Sequence, residues 1–352
     1  MSRFLKKVLK GKWLTTVKRN KTFVLLSMVL SIYLLFFFEY KYASPPKPPS
    51  CFSLPYNFSS YNIQNIVDTV LSNGYTTAKK INNISNSYYN IYDVTCAPDI
   101  ELVVVVKSFV GHFFQRAAIR NTWGRCHSTN VKVVFVLGYS KLYEEIAREE
   151  YINNEDVIQF SFLDTYRNNT HKTIMSYDWI VSNCSSSTFV LFVDDDFYVN
   201  IPNILQFVHG TLKYTTDTMY GKKQCFSFPL RNESSKWCIS DEEYPYAIYP
   251  TYLLGGSILT HNSVVRKLQI AFPFKKAIFI DDVYVGLVAH ELNIKLANHV
   301  GFVVADMKDN DVKNSMSNHG YEKPVDLFNA WGNFLEQSFW EKLTNIQICN
   351  IM

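Results

Sequence analysis

The stretch VLFVDDDFYVN, Val190 to Asn200, runs from an apolar strand straight into three adjacent carboxylates, Asp194, Asp195 and Asp196. Three such groups at a buried strand end repel by roughly 3 kcal/mol per pair at about 5 Å and an effective dielectric of about 20, unless a cation sits among them. A divalent metal relieves that repulsion. On an extended chain residues i and i+2 point to the same side, so Asp194 and Asp196 are placed to share one hard ion, Mn²⁺ or Mg²⁺, with positions left open for a diphosphate. The alternative is a solvated acidic turn after an edge strand. The four apolar residues before the acids argue against it, because they set the acids at the mouth of a core strand, where ligands of open α/β sheets bind.

The same kind of strand recurs on either side. LVVVV (Leu102 to Val106), VKVVFVL (Val131 to Leu137) and FVLFV (Phe189 to Val193) are nearly continuous β-branched runs. Such runs are buried on both faces and imply an α/β domain with a mainly parallel central sheet. Amphipathic spacing predicts helices near Phe113 to Thr122, Lys141 to Glu150, Lys172 to Ser182, Ile201 to His209, Ser263 to Ile270 and Val283 to Leu292. Roughly 250 residues from Cys96 onward suffice for one large core.

Upstream the composition changes. Residues 1–22 carry Arg3, Lys6, Lys7, Lys10, Lys12, Lys18, Arg19 and Lys21 without an acid, and an apolar segment follows from Phe23. Run on to Tyr42, that segment is about 30 Å long at about 1.5 Å per residue, which suits a thin secretory-pathway bilayer. The charge bias keeps the tail cytoplasmic and makes 23–42 the anchor of a single-pass type II protein of the Golgi membrane with its bulk in the lumen. A cleaved signal peptide is the competing reading, but the basic region is long and no small-x-small site precedes the prolines. SPPKPPS (Ser44 to Ser50) reads as a polyproline spacer, and with the Asn- and Ser-rich run after it defines a stem over 43–95, ahead of a lumenal domain over 96–352.

The formal charge of +4 comes from the tail: beyond residue 22 there are 27 basic against 31 acidic residues, or −4, which excludes a nucleic-acid binder. Cys51, Cys96, Cys126, Cys184, Cys225, Cys238 and Cys349 form no CxxC pair, so disulfides in an oxidising lumen are the natural reading, with at least one thiol left over. Sequons at Asn57, Asn83, Asn168, Asn183 and Asn232 agree with lumenal glycosylation.

Six blocks in order carry a resemblance. SFVGHFFQRAAIRNTWG (Ser108 to Gly124), VVFVLG (Val133 to Gly138), FLDTYRNNTHKT (Phe162 to Thr173), VDDDFYVN, KWCISDEEYPYAIYPTYLLGGSIL (Lys236 to Leu259) and DDVYVG (Asp281 to Gly286) resemble the β-1,3-galactosyltransferase and β-1,3-N-acetylglucosaminyltransferase family. The resemblance implies a GT-A fold, a UDP-sugar donor, a manganese ion, an acceptor glycan on glycoprotein or glycolipid, and an inverting single displacement. It does not fix the sugar.

Each block also has its own chemistry. Arg116 and Arg120 lie on one helical face, where two guanidiniums suit a phosphate or, alternatively, an acidic partner inside the domain. The resemblance places them near the nucleotide with Asp195; Asp164 would hold the uridine and Lys172 would neutralise phosphate charge. Trp237, Tyr249 and Tyr252 offer aromatic faces to an acceptor pyranose, with core packing as the alternative. Gly255 and Gly256 permit close backbone approach. Asp281 and Asp282 start a helix, so either is also a candidate cap; the resemblance makes Asp282 the catalytic base and Asp281 its support. His299 occupies the family position that reaches the metal, against a satisfied buried histidine. Other classes are an inactive relative acting as lumenal lectin or chaperone, and a metal-dependent hydrolase. The first would normally have lost the acids, and the second should show further regularly spaced His or Asp ligands.

Overall fold

The computed structural model describes residues 62–92, 94–125, 130–212, 216–304 and 312–342. The expected tail, anchor and spacer and the Asn57 sequon lie outside them. Among the described residues no helix is long and apolar enough to cross a membrane.

In chain order the elements are α1 (Ile63–Asn73), α2 (Ile84–Ser87), β1 (Leu102–Lys107), α3 (Phe113–Asn121), β2 (Val131–Tyr139), α4 (Glu144–Asn154) and β3 (Val157–Leu163). Then come α5 (Asn169–Asn183), β4 (Phe189–Asp194), β5 (Phe197–Val199), α6 (Ile201–Phe207), β6 (Thr218–Gln224) and β7 (Tyr252–His261). The chain continues through α7 (Asn262–Ala271), α8 (Asp281–Glu291), β8 (Lys295–Asn298), β9 (Phe302–Val303), β10 (Ser317–His319) and α9 (Pro324–Lys342). Seven strands form one sheet in the order β3-β2-β1-β4-β7-β6-β8, in which only β7 runs against its neighbours. A small second sheet, β5-β10-β9, stands beside it. The mixed α/β class and the mainly parallel sheet match the sequence expectation.

Alternation along the strands builds two cores, one on each face. Val103 and Val105 of β1 join Ile174, Trp179, Leu268 and Val283 on one side. Leu102, Val104 and Val106 join Ile119, Trp123, Ile204 and Leu327 on the other. All five apolar residues of β1 are fully buried, each contributing roughly 1.5–3 kcal/mol of transfer free energy. Strands buried this way cannot move relative to one another, so their C-terminal ends make a rigid platform. β1 feeds β2 and β3 on one side, while β4 lies on its other side, so the strand order reverses between β1 and β4, where open α/β sheets bind ligands.

The described part of the expected stem is folded onto this body. Ile63, Ile66 and Val67 of α1 are buried in the first core, Trp179 Nε1 donates to the Val94 carbonyl at 3.0 Å, and Asn82 Nδ2 donates to the carbonyls of Phe272 and Lys275. A Cys96–Cys184 disulfide ties the entry to β1 to the end of α5. Cys225 is also disulfide-bonded, and Cys238 is a free thiol.

Candidate active site

Lys107 and Asp194 are the last residues of β1 and β4 and face each other in the parallel register. Lys107 is buried, and its Nζ lies 3.1 Å from Asp194 Oδ1 and 2.8 Å from Asp281 Oδ2, at the start of α8. Thr173 Oγ1, on α5, donates to the same Asp281 oxygen at 2.8 Å. Three elements far apart in sequence therefore meet at one cation. Burial pulls Lys107 down, but the charges of Asp194 and Asp281 outweigh it and hold the ammonium well above the ordinary lysine range. Burial would likewise raise Asp281, yet Lys107 and Thr173 bring it below the usual carboxylate range.

Asp282 has a different environment. Its Oδ2 accepts from the Gly255 N–H at 3.2 Å and its Oδ1 from the Val283 N–H at 2.7 Å, and it makes no ion pair among the described residues. Burial, and next the charge of Asp281, push its pKa up to about 7. Gly255 is glycine for a steric reason: a Cβ there would stand 2.9 Å from the Asp282 Cβ. Gly286, one turn on in α8, similarly leaves room for Tyr252, so the helix seats closely on β7.

The other two acids of the triplet diverge. Asp195 Oδ2 accepts from Ser108 Oγ at 2.6 Å and pairs with His112 Nδ1 at 2.9 Å, a contact that raises the His112 pKa. Asp196 Oδ2 lies 3.2 Å from His319 Nε2, while its Oδ1 is buried without a hydrogen-bond partner. His319 reaches Asp196 because β10 pairs with β5 directly after the triplet. An orphaned carboxylate oxygen beside an imidazole suits a divalent cation that accepts both O and N ligands. Among the described residues, however, no group of three or more His, Cys, Asp or Glu is arranged to hold a metal. Of the two carboxylates expected to share the ion, Asp194 is paired with Lys107 at 3.1 Å, whereas Asp196 keeps an unpartnered oxygen. Burial pushes Asp194 up to about 7, with Asp196 and Asp281 adding to the rise against the pull of Lys107. The expectation for His299 needs correction. It packs against Phe207 and Phe302, accepts from the Gly301 N–H and does not line the cleft.

Asp194, Asp196, Asp281, Asp282 and His319 line one cleft of about 570 Å³. Aromatic side chains line much of the rest, and the three predicted from sequence are among them. Trp237 is 47% exposed and offers its face, with the Lys236 ammonium 4.6 Å from its ring. Tyr249 is 5% exposed and packs on Tyr244 and Tyr252, which leaves little of its ring open to a stacked sugar. Tyr252 is buried too, its hydroxyl 3.3 Å from Ser227 Oγ. Tyr166, not singled out from sequence, lines the same cleft half-exposed. Burial, followed by the Asp281 charge, pushes its phenol up to about 12.

The expected phosphate-binding cations sit elsewhere. Arg116 is fully buried; it binds both oxygens of Glu150 and donates to Ser108 Oγ and to the carbonyls of Phe109 and Val110. Arg120 bonds Glu150 and Asp156. Lys172 and Asp164 are buried against each other at 2.9 Å; Lys172 also donates to the Ser108 carbonyl, and Asp164 accepts from the Val110 and Gly138 N–H groups. None of the four lines the cleft. Each found its partner inside the domain, and Arg116, Lys172 and Asp164 fix the loop that carries Ser108 and His112. Of the sequons, Asn83 and Asn232 are exposed, whereas the Asn168 and Asn183 amides donate to the carbonyls of Leu163 and Trp179.

Residues 114–300, more than half of the chain, match the galactosyltransferase family model. The chain belongs to the galactosyltransferase family. It is 32% identical to the β-1,3-galactosyltransferase brn of Drosophila melanogaster over 65% of this chain and 73% of that one. It is 28% identical to a lactosylceramide 1,3-N-acetyl-β-D-glucosaminyltransferase A of Xenopus laevis over 71% of this chain and 69% of the relative. It is 33% identical to the human N-acetyllactosaminide β-1,3-N-acetylglucosaminyltransferase 4, over 59% and 56% respectively. Among solved structures, apo mouse xyloside xylosyltransferase 1 aligns at 9% identity with a TM-score of 0.32, too slight a likeness to carry an argument.

Proposed function

We propose that this member of the family is an inverting β-1,3-glycosyltransferase that moves galactose, or an N-acetylhexosamine, from a UDP-sugar to the 3-hydroxyl of an acceptor glycan. The observation that carries the reading is Asp282: a half-buried carboxylate with no cationic partner at hydrogen-bond distance, aimed by the Gly255 N–H and raised to about 7 at the wall of an aromatic-lined cleft. A base with that proton affinity takes a hydroxyl proton at neutral pH without being fully protonated beforehand. The crossover order and the acids at the β1/β4 switch support a GT-A type of nucleotide-sugar domain.

In this mechanism the acceptor sugar rests on Trp237 and Tyr166 with its 3-hydroxyl toward Asp282. As the oxygen attacks the anomeric carbon from the face opposite the diphosphate, its proton passes to the carboxylate, turning an α-linked donor into a β-linked product. The bond from the anomeric carbon to the diphosphate breaks, and its electrons leave with UDP. Asp196 and His319 would hold a Mn²⁺ ion, which when bound would neutralise the departing charge. Asp195, fixed by Ser108 and His112, would support the donor from behind this acidic run. The basic tail and apolar run at 1–42 support a type II Golgi anchor, with the cleft in the lumen and Asn83 and Asn232 open to glycosylation. Mixing the purified protein with Mn²⁺, a panel of UDP-sugars and β-galactoside or N-acetylglucosaminide acceptors tests the proposal. A 1→3 β linkage by NMR is expected, and hydrolysis without transfer, or binding without turnover, would refute it.

A further inference from the structure

Two acid motifs, the triplet at 194–196 and the pair at 281–282, are 85 or more residues apart and touch one common cation. Lys107 Nζ reaches Asp281 at 2.8 Å and Asp194 at 3.1 Å, and only 7% of Lys107 is exposed. Asp281 is held from a second side by Thr173, whereas the bonds to Asp282 come from neutral N–H groups. Adjacent carboxylates in the first turn of a helix would otherwise be near equivalents, each able to take a proton.

Resting on the transferase reading above, we propose that Lys107 is a positioning residue that decides which carboxylate of the pair is the base. By clamping Asp281 between itself and Thr173, it leaves Asp282 to face the acceptor. The groups around Asp282 bear this out. Asp281 adjoins it on α8, Lys107 approaches from β1, Tyr252 from β7, Tyr249 from the segment before β7 and Tyr166 from the turn ahead of α5. The tyrosines stay neutral at physiological pH, because burial raises all three. Lys236, in the same cleft, lies over the rings of Tyr166 and Trp237. Lys107 is thus the cation that compensates the pair. Without it the doubly ionised pair is harder to form and Asp281 is free to compete for the proton.

The test compares full-length wild type with Lys107→Met and Lys107→Arg. It measures kcat and acceptor KM with UDP-galactose and UDP-N-acetylglucosamine, and follows the Asp282 carboxyl by ¹³C NMR titration, assigned against Asp282→Asn. Removing the charge should raise the Asp282 pKa by about one unit, the effect of losing an opposite charge nearby. It should also lower kcat by about tenfold or more with KM nearly unchanged, as a misplaced base does. Lys107→Arg should keep the titration near wild type and lose kcat alone. A folded Met variant whose Asp282 titrates as in wild type overturns the proposal. If the Met variant does not fold, an Arg variant with wild-type kcat overturns it, and one with reduced kcat and an unmoved titration supports it. Should wild type transfer no sugar from either donor, the transferase reading fails, and the NMR titration still decides what Lys107 does to the pair.

Discussion

Two charged regions meet at Ser108, and they are balanced in opposite ways. On one side Arg116 and Arg120 face Glu150 and Asp156, two cations against two carboxylates, joined by multiple hydrogen bonds and away from the cleft. On the other, five carboxylates crowd two short segments: Asp194 and Asp281 share the buried amine of Lys107, Asp195 and Asp196 turn to His112 and His319, and Asp282 has only backbone N–H groups. Ser108 Oγ touches both, accepting from Arg116 and donating to Asp195. A matched cluster of this kind does structural work, because no charge is left for a ligand. An unmatched one stores an electrostatic cost that a cation, a proton or a substrate relieves. The contrast shows why charge type alone misleads: the arginines carry the more conspicuous phosphate signature, yet it is Asp194, Asp196, Asp281 and Asp282 that line the cleft.

The largest effect expected on the open side is from Asp282→Asn. Single-turnover transfer should fall by about 10² to 10⁴, the usual contribution of a positioned base, while UDP affinity by calorimetry stays within a few-fold. An Asn oxygen can still accept from the Val283 N–H, so a variant with near wild-type activity would leave Asp282 a structural role only and move suspicion to Asp281.

On the closed side, Arg116→Met should leave Glu150 without its principal buried partner and cost about 3–5 kcal/mol in denaturant unfolding. A loss under about 1 kcal/mol, the worth of an exposed pair, together with much weaker UDP binding, would erase the contrast and return Arg116 to the donor site.

Asp196→Asn comes next. Mn²⁺-dependent UDP binding should weaken by more than the ~10-fold that even an outer-shell partner costs, with the fold intact. Unchanged binding would remove Asp196 from the cation site.

A smaller, purely geometric effect is expected of Gly255→Ala. The added methyl meets the Asp282 Cβ, so kcat should drop about tenfold through a slight displacement of the base, with KM and melting temperature little changed. Unaltered kcat would show that the position of Asp282 is not critical.

The smallest effect is on stability. The folded-state pKa of Asp282 is raised from its ordinary value to about 7, so the folded protein binds more protons than the unfolded chain between about pH 4 and 7. This group's contribution to stability therefore declines as pH rises through that window and stays low above it. Asp282→Asn should melt at or above wild type at pH 8 and lose that advantage near pH 4. A lower melting temperature at pH 8 would mean that the charge supports the fold.

Much of the fold was legible because β1, β2 and β4 are nearly continuous apolar runs rich in β-branched residues, the pattern of strands buried on both faces. The folded 62–95 region was harder to see. Its composition reads as a stem, yet Ile63, Ile66 and Val67 already show helical i, i+3, i+4 spacing. Within the site, the acids and the aromatic wall could be read from their own blocks. Lys107 could not, since a lysine ending a strand is ordinary until the register sets it beside Asp194. His319 lies 123 residues beyond Asp196 and reaches it through a strand of three residues, a long-range pairing with no local signal. The arginines were ambiguous from the start, because nothing nearby in sequence reveals Glu150 and Asp156 as their partners.

The most direct test of the account is the pH dependence of kcat/KM for the wild-type protein, which reports the ionisation of the free enzyme's base. Asp282 at about 7 predicts a rate that climbs with pH through the neutral range and levels off above it, with that limb absent from the residual activity of Asp282→Asn. A wild-type profile that is flat from about pH 5 to pH 8, as a carboxylate of ordinary pKa would give, would contradict it.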